Sequence, residues 1–219
     1  MADPSRIVIA TGGSGGHLFP AILLAQELQD KHHDIFFLGS FGTCIEQLIG
    51  TGFRFENLYA KGLKTGNIKD FLVSGFSILK ASVRSIKFLM EFKPHVVIGF
   101  GGYGAFPVVF SAAILGCPTM IHEQNVIPGK ANAILAKIVK KVAISFQESK
   151  RFFKEQKTVL TGYPFRVKNK SLTKEDCLVE DSISSRYSSA LIKNLLTSTG
   201  ISLILKGHTT RNLVNNPIY

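Results

Sequence analysis

The chain has 219 residues, 45% of them apolar, and 26 Lys and Arg against 15 Asp and Glu, a net charge of +11. That length admits one large domain or one domain plus a tail, the apolar share is ample for a core, and the basic excess suits an anionic partner: nucleic acid, phosphorylated substrate or acidic lipid. Cys44, Cys117 and Cys177 are odd in number and spaced for neither a zinc site nor a disulfide framework, which implies a reducing compartment. The opening Met1-Ala2-Asp3-Pro4-Ser5-Arg6 lacks the apolar stretch of a signal peptide.

The first strand is expected at Ile7 to Ala10. It runs into Gly12-Gly13-Ser14-Gly15-Gly16-His17, and a helical pattern beginning near Pro20 follows, with Ala21, Leu24, Ala25 and Leu28 on one face. Strand, glycine turn and helix start is where open α/β folds bind phosphates. The N–H groups at a helix N-terminus are unpaired and the helix dipole favours negative charge there. Glycines let the backbone take positive φ and approach a ligand closely. A tight turn with nothing bound is the alternative, but four glycines around one serine, ending in a histidine, exceed what a plain turn needs.

Two familiar phosphate motifs fail. A P-loop requires Lys-Ser/Thr after its last glycine, where this loop has His17-Leu18. The dinucleotide fingerprint, counted from Gly13 and Gly15, would place its third glycine at Leu18. It also requires an acid after the second strand, yet Ile35 to Leu38 runs into Gly39-Ser40-Phe41. A nicotinamide dehydrogenase is disfavoured while the fold class stands. His17 either polarises or deprotonates a hydroxyl, since imidazole titrates near neutrality, or caps the helix.

Further strands are expected at Phe53 to Leu58, Val96 to Phe100, Thr119 to His122, Val142 to Ser145 and Thr158 to Leu160, with helical patterns between them. This alternation predicts a doubly wound parallel sheet with right-handed crossovers. In the helix from Ile68 to Glu91, Leu72, Phe76, Leu79, Val83, Ile86 and Met90 recur at spacings of three and four, which predicts a core-facing stripe. Lys80, Arg84 and Lys87 share another face, and further apolar residues lie off the stripe. Such a helix suits an anionic membrane surface or presents an ordinary solvated face.

No charge occurs from Val96 to Ile121, a length that could span a bilayer, but Gly99, Gly101, Gly102, Gly104 and Pro107 interrupt it. The better parse is a buried strand, a glycine loop, a helix from Ala105 to Leu115 and another buried strand. Ligands of such sheets sit outside the carboxyl ends of the strands. Three polar or glycine-rich stretches fall there: Gly12 to His17, Gly99 to Gly104, and His122-Glu123-Gln124-Asn125. Glu123 is either a base or a holder of its loop, and Gln124 and Asn125 suit sugar hydroxyls because they both donate and accept. No Asp-x-Asp occurs, so a metal-held diphosphate has no ligands and no cofactor is expected.

The ordered landmarks 12–20, Gly99-Phe100-Gly101-Gly102-Tyr103, His122 to Asn125 and Gly162-Tyr163-Pro164-Phe165-Arg166 resemble those of the MurG family. These are GT-B glycosyltransferases that add N-acetylglucosamine to lipid I, giving lipid II for peptidoglycan. The resemblance spans about residues 5–166 and implies the Rossmann-like N-terminal domain of such an enzyme. It implies that this domain takes the undecaprenyl-diphosphate-linked acceptor and docks peripherally on the cytoplasmic face of the bacterial plasma membrane. The other domain would hold most of UDP-N-acetylglucosamine. Ser14, Gly15 and Gly16 match the first glycine loop, and Gly101, Gly102 and Tyr103 the second. Asn125 and Arg166 match donor-contacting positions, and His17 and Glu123 match groups near the acceptor hydroxyl, either of them the base. The family inverts the anomeric centre by direct attack.

After Arg166 the resemblance stops. Residues 167–219 are polar, rich in Asn, Ser and Thr, and too few for a second Rossmann-like domain, as expected of a truncated or frame-disrupted product or of a short variant with a divergent tail. The alternative function is a non-catalytic, membrane-docked module that binds a diphosphate lipid. A nucleic-acid binder is disfavoured, because residues 1–166 carry +8 and the tail +3, with no compact basic arm.

Overall fold

Apolar runs of four or five residues can be buried on both faces only when helices cover both sides of the sheet they form. The computed structural model, which describes residues 4–60 and 68–164, has that arrangement. β1 (Arg6–Gly12) leads into α1 (Gly15–Asp30), β2 (Asp34–Ser40), α2 (Ile45–Ile49), β3 (Arg54–Asn57) and α3 (Ile68–Phe92). β4 (Val96–Gly99), α4 (Phe106–Ile114), β5 (Thr119–Glu123), α5 (Lys130–Leu135), β6 (Lys141–Ile144) and β7 (Thr158–Leu160) follow. The strands form one seven-stranded sheet in the order β3-β2-β1-β4-β5-β6-β7, every neighbouring pair parallel. This is the expected doubly wound α/β sheet, Rossmann-like in topology.

Alternate residues of the central strand feed two cores, as the two-residue period of a strand requires. Ile7 and Ile9 pack with Leu18, Leu24 and Leu28 of α1 on one face. Val8 and Ala10 pack with Ala81 and Leu89 of α3, Val108 and Ala112 of α4 and Leu135 of α5 on the other. Each fully buried Leu, Ile or Val contributes about 1.5–3 kcal/mol. The strand order reverses between β1 and β4, so the chain leaves these two strands toward opposite faces, α1 on one and α4 on the other. Open sheets of this kind bind their ligands outside the strand ends at such a switch point.

Two expectations need correction. α1 begins at Gly15, five residues before Pro20, and encloses that proline. His17, read as lying at a helix start, stands in the first turn of the helix. The second concerns α3. Leu72, Phe76, Leu79, Val83 and Met90, read from their spacing as core-facing, lie in the open, Phe76 70% and Leu72 62% exposed, and Ile86 is only half-buried. The buried face is instead Ser74, Ala81, Ser85 and Leu89, and it packs on α4.

The physical reason lies in the serines. A serine in a helix can donate its hydroxyl to the carbonyl four residues back and so enter a core without another partner. Ser82 Oγ donates to Ile78 O at 2.9 Å and Ser85 Oγ to Ala81 O at 2.8 Å. Ser111 Oγ of α4 donates to Ser82 O across the helix pair at 3.2 Å. Small residues on this face let two helices approach closely, and larger side chains there would hold them apart. Among the described residues no helix is long and apolar enough to cross a membrane. Arg166 and the tail 167–219 lie outside the described residues.

Candidate functional site at the sheet's switch point

The loops that leave β1 and β4 touch. Gly12 N donates to Gly101 O at 3.0 Å, and Phe100 N to Ala10 O at 2.8 Å. Gly101 and Gly102 take φ of +91° and +77°, in the left-handed region that glycine tolerates without strain. A Cβ on Gly12 would stand 3.0 Å from Gly102 Cα, so the approach depends on glycine on both sides. Between these loops and α5 lies a cleft of about 470 Å³, lined by Gly12, Gly13, Ser14, His17, Gly102 and Tyr103 and by Glu123, Lys130 and Asn132.

Ser14 is the N-cap of α1, with extended backbone and no capping bond from its side chain. The hydroxyl and the first N–H groups of the helix are thus left for a ligand. Gly15 and Gly16 form that first turn, and a Cβ on Gly16 would meet nothing within 4 Å, so the backbone is open there. Lys130 adds a positive charge to the lining. The cleft is suited to a polyanion: dipole, open N–H groups and a cation converge on it.

His17 is half-buried, and its Nδ1 stands 3.1 Å from Gln124 Oε1. Gln124 is 6% exposed and donates Nε2–H to Phe100 O at 2.9 Å. Sequence reasoning set Gln124 beside Asn125 as a sugar contact; the fold buries it beneath His17 instead. Glu123 is 1% exposed and every hydrogen bond it accepts is internal. Its Oε1 accepts from Asn125 N at 2.9 Å and Asn125 Nδ2 at 3.2 Å, its Oε2 from Gly129 N at 3.1 Å and Asn132 Nδ2 at 2.9 Å. Asn125 is exposed at the end of β5, on the same edge of the sheet as Ser14 and Tyr103.

His122, fully buried, has Nε2 3.0 Å from Gly162 O. A carbonyl only accepts, so Nε2 carries the proton. Burial lowers its pKa to about 4, against smaller opposing effects of the Gly162 bond and Glu123, and the ring is neutral. Asn132 and Lys130 escaped sequence reasoning. The signal was an asparagine inside the small apolar helix Lys130–Leu135, where an amide has no reason to be buried unless it has partners. Lys80, Arg84 and Lys87 are exposed on α3. Arg84 pairs with Glu56 at 2.8 Å, and Lys80 and Arg84 edge a separate hollow of about 310 Å³ with Tyr59, Val73 and Phe76.

Relatives share this architecture. A UDP-N-acetylglucosamine–N-acetylmuramyl-(pentapeptide) pyrophosphoryl-undecaprenol N-acetylglucosamine transferase of Geotalea daltonii is 43% identical over 164 residues, covering 74% of this chain and 45% of that protein. The protein of the same name from Thermoanaerobacter sp. strain X514 is 40% identical over 177 residues, covering 79% of this chain and 49% of that one. The crystal structure of Acinetobacter baumannii MurG superposes with a TM-score of 0.63 at 29% identity, covering 75% of this chain and 46% of that chain. The chain spans about half the length of the curated relatives it matches. Residues 7–144, from the first strand through β6, match the glycosyltransferase family 28 N-terminal domain, and the chain belongs to that family.

Proposed function

We propose that the chain is the acceptor-binding half of an inverting N-acetylglucosaminyltransferase of peptidoglycan biosynthesis. Its cleft takes an undecaprenyl-diphosphate-linked muramyl acceptor, and the sugar comes from UDP-N-acetylglucosamine held across that cleft. The observation that carries the reading is the convergence of the first turn of α1, the second glycine loop and His17 on one cleft, in a chain similar to the transferases named above. The N–H groups at Gly15 and Gly16, with Ser14 and Lys130, receive the acceptor diphosphate. Tyr103 and the backbone at Gly101 and Gly102 shape the opposite wall.

Transfer forms a bond from the acceptor hydroxyl to the anomeric carbon as UDP leaves with the electron pair of the broken bond. The hydroxyl proton needs an acceptor. His17 is that acceptor: it is half-exposed in the cleft and its ring is held from behind. Glu123 gives its oxygens to the loop that carries Asn125 and acts by shaping the donor edge at Asn125.

The domain docks on an anionic membrane through α3. Its unburied apolar residues and Lys80, Arg84 and Lys87 make a surface of the kind that enters a lipid interface.

The test measures two things on the purified chain: binding of a soluble lipid I analogue, and transfer from radiolabelled UDP-N-acetylglucosamine, beside a full-length relative. Binding without appreciable transfer is expected of these 219 residues alone, roughly a hundredfold or more below the relative, because they span about half the length of such transferases and attack geometry needs both substrates held. In any setting with measurable transfer, His17→Ala should lower the rate by about 10²–10⁴-fold while acceptor affinity changes little. Loss of analogue binding on neither Ser14 nor Lys130 substitution would defeat the acceptor assignment. Binding with no transfer under any donor-domain complementation would leave a non-catalytic diphosphate-lipid module.

A further inference from the structure

His17 and Gln124 are 107 residues apart in the chain, and together they admit only one tautomer of the neutral ring. The Phe100 carbonyl can accept a hydrogen bond and never donate one. Gln124 lies 2.9 Å from it, so the end of the amide that faces Phe100 must be the NH₂ group. The amide oxygen is then turned toward His17, 3.1 Å from Nδ1. An amide oxygen also only accepts, so Nδ1 must carry the hydrogen. In a neutral ring the other nitrogen, Nε2, is then a bare lone pair.

Space beside the ring on a second side is narrow. A Cβ at Gly101 would stand 3.2 Å from Cε1 and one at Gly102 3.3 Å from Cδ2, the two carbons that flank Nε2, so glycine at both positions leaves the ring its room. Nε2 itself makes no hydrogen bond to any described residue. Gln124 is tied to the end of β4 and is 6% exposed, so water does not compete for its amide.

We infer that Gln124 is a positioning residue that holds His17 in the Nδ1–H tautomer, so that Nε2 is the atom offered to an acceptor hydroxyl. Free histidine prefers the opposite tautomer, which would set an N–H where the reaction needs a lone pair. This inference deepens the reading of His17 as proton acceptor and rests on it for its purpose, though the proton arrangement can be read without any transfer.

The test is long-range ¹H–¹⁵N correlation of the imidazole nitrogens in the full chain, at a pH about two units above the ordinary imidazole value of about 6.5. His17 should show a pyrrole-like Nδ1 and a pyridine-like Nε2. Gln124→Leu, which removes the oxygen, should move the ring to the Nε2–H form. Gln124→Glu, which restores an oxygen there, should bring back Nδ1–H, a rescue that no general loosening of the fold would produce. A wild-type His17 protonated on Nε2 overturns the inference without recourse to any variant. So does a folded Gln124→Leu protein that keeps Nδ1–H. If the tautomer stands as described but His17→Ala leaves transfer unaffected, the catalytic reading fails and the proton arrangement survives; the converse result removes Gln124 and leaves His17.

Discussion

α1 and α3 are both long helices with apolar residues at helical spacing, and they use them in opposite ways. α1 buries Leu18, Ala21, Leu24, Ala25 and Leu28 against the sheet. α3 turns Leu72, Phe76, Leu79, Val83 and Met90 outward and seats Ser74, Ala81, Ser85 and Leu89 on its neighbour α4. Periodicity says that a helix has a face. It does not say on which side the rest of the protein stands. Among the described residues that apolar face lies in the open, with exposed Lys80, Arg84 and Lys87 on the face beside it, the kind of surface on which the proposed docking rests.

The comparison can be broken by substitution. Leu24→Ala in α1 removes a fully buried side chain and should cost about 2–5 kcal/mol in denaturant unfolding. A cost under 1 kcal/mol would mean that α1 is not seated as described. The outward face of α3 is probed by replacing Lys80, Arg84 and Lys87 together with Ala. If α3 docks as proposed, each should contribute about 1 kcal/mol of attraction to an anionic vesicle at moderate salt. Sedimentation with phosphatidylglycerol vesicles should show markedly weaker binding, and stability should barely move, since the exposed Arg84–Glu56 pair contributes little. Undiminished, salt-insensitive binding would remove α3 as the docking face.

The seam itself is probed by Ser85→Leu. Ser85 is fully buried against the α3–α4 contact, so extra volume there should cost about 1–3 kcal/mol. By the polarity scale alone the same change would be expected to stabilise an apolar helix, so the sign decides which face is inside. The smallest effect belongs to Phe76→Ser: unfolding stability should stay within about 0.5 kcal/mol, although a large aromatic is lost, because Phe76 is 70% exposed. A cost of 2 kcal/mol or more would return Phe76 to a core and undo the comparison.

Much of the fold was legible because its signals are local. All seven strands fall within two residues of their apolar runs, and α4 (Phe106–Ile114) sits inside the helix expected from Ala105 to Leu115. α1 was misjudged at its start because Pro20 reads as a helix opener, whereas five residues of glycine-rich turn already wind into the helix before it. α3 was misjudged because serine reads as polar, and the sequence does not display the bonds from Ser82 and Ser85 to carbonyls one turn back. On the rim, the glycines, His17, Glu123 and Asn125 stood out by type. Gln124 stood out too, but as a sugar contact, and Asn132 did not, since an amide looks the same whether it faces a ligand or braces a neighbour.

By itself the sequence determined the order of strands and helices, the parallel sheet with both faces covered, and the glycine turn at the head of α1. Each of these depends on residues a few positions apart: an apolar run, a glycine, a helical period. The tertiary structure alone decided which face of α3 is inside, which rim residues look into the cleft and which hold the others. Those outcomes depend on partners brought from far along the chain. Gly12 meets Gly101 only because β1 and β4 are neighbours at the switch point, and His17 meets Gln124 only because β5 lies next to β4.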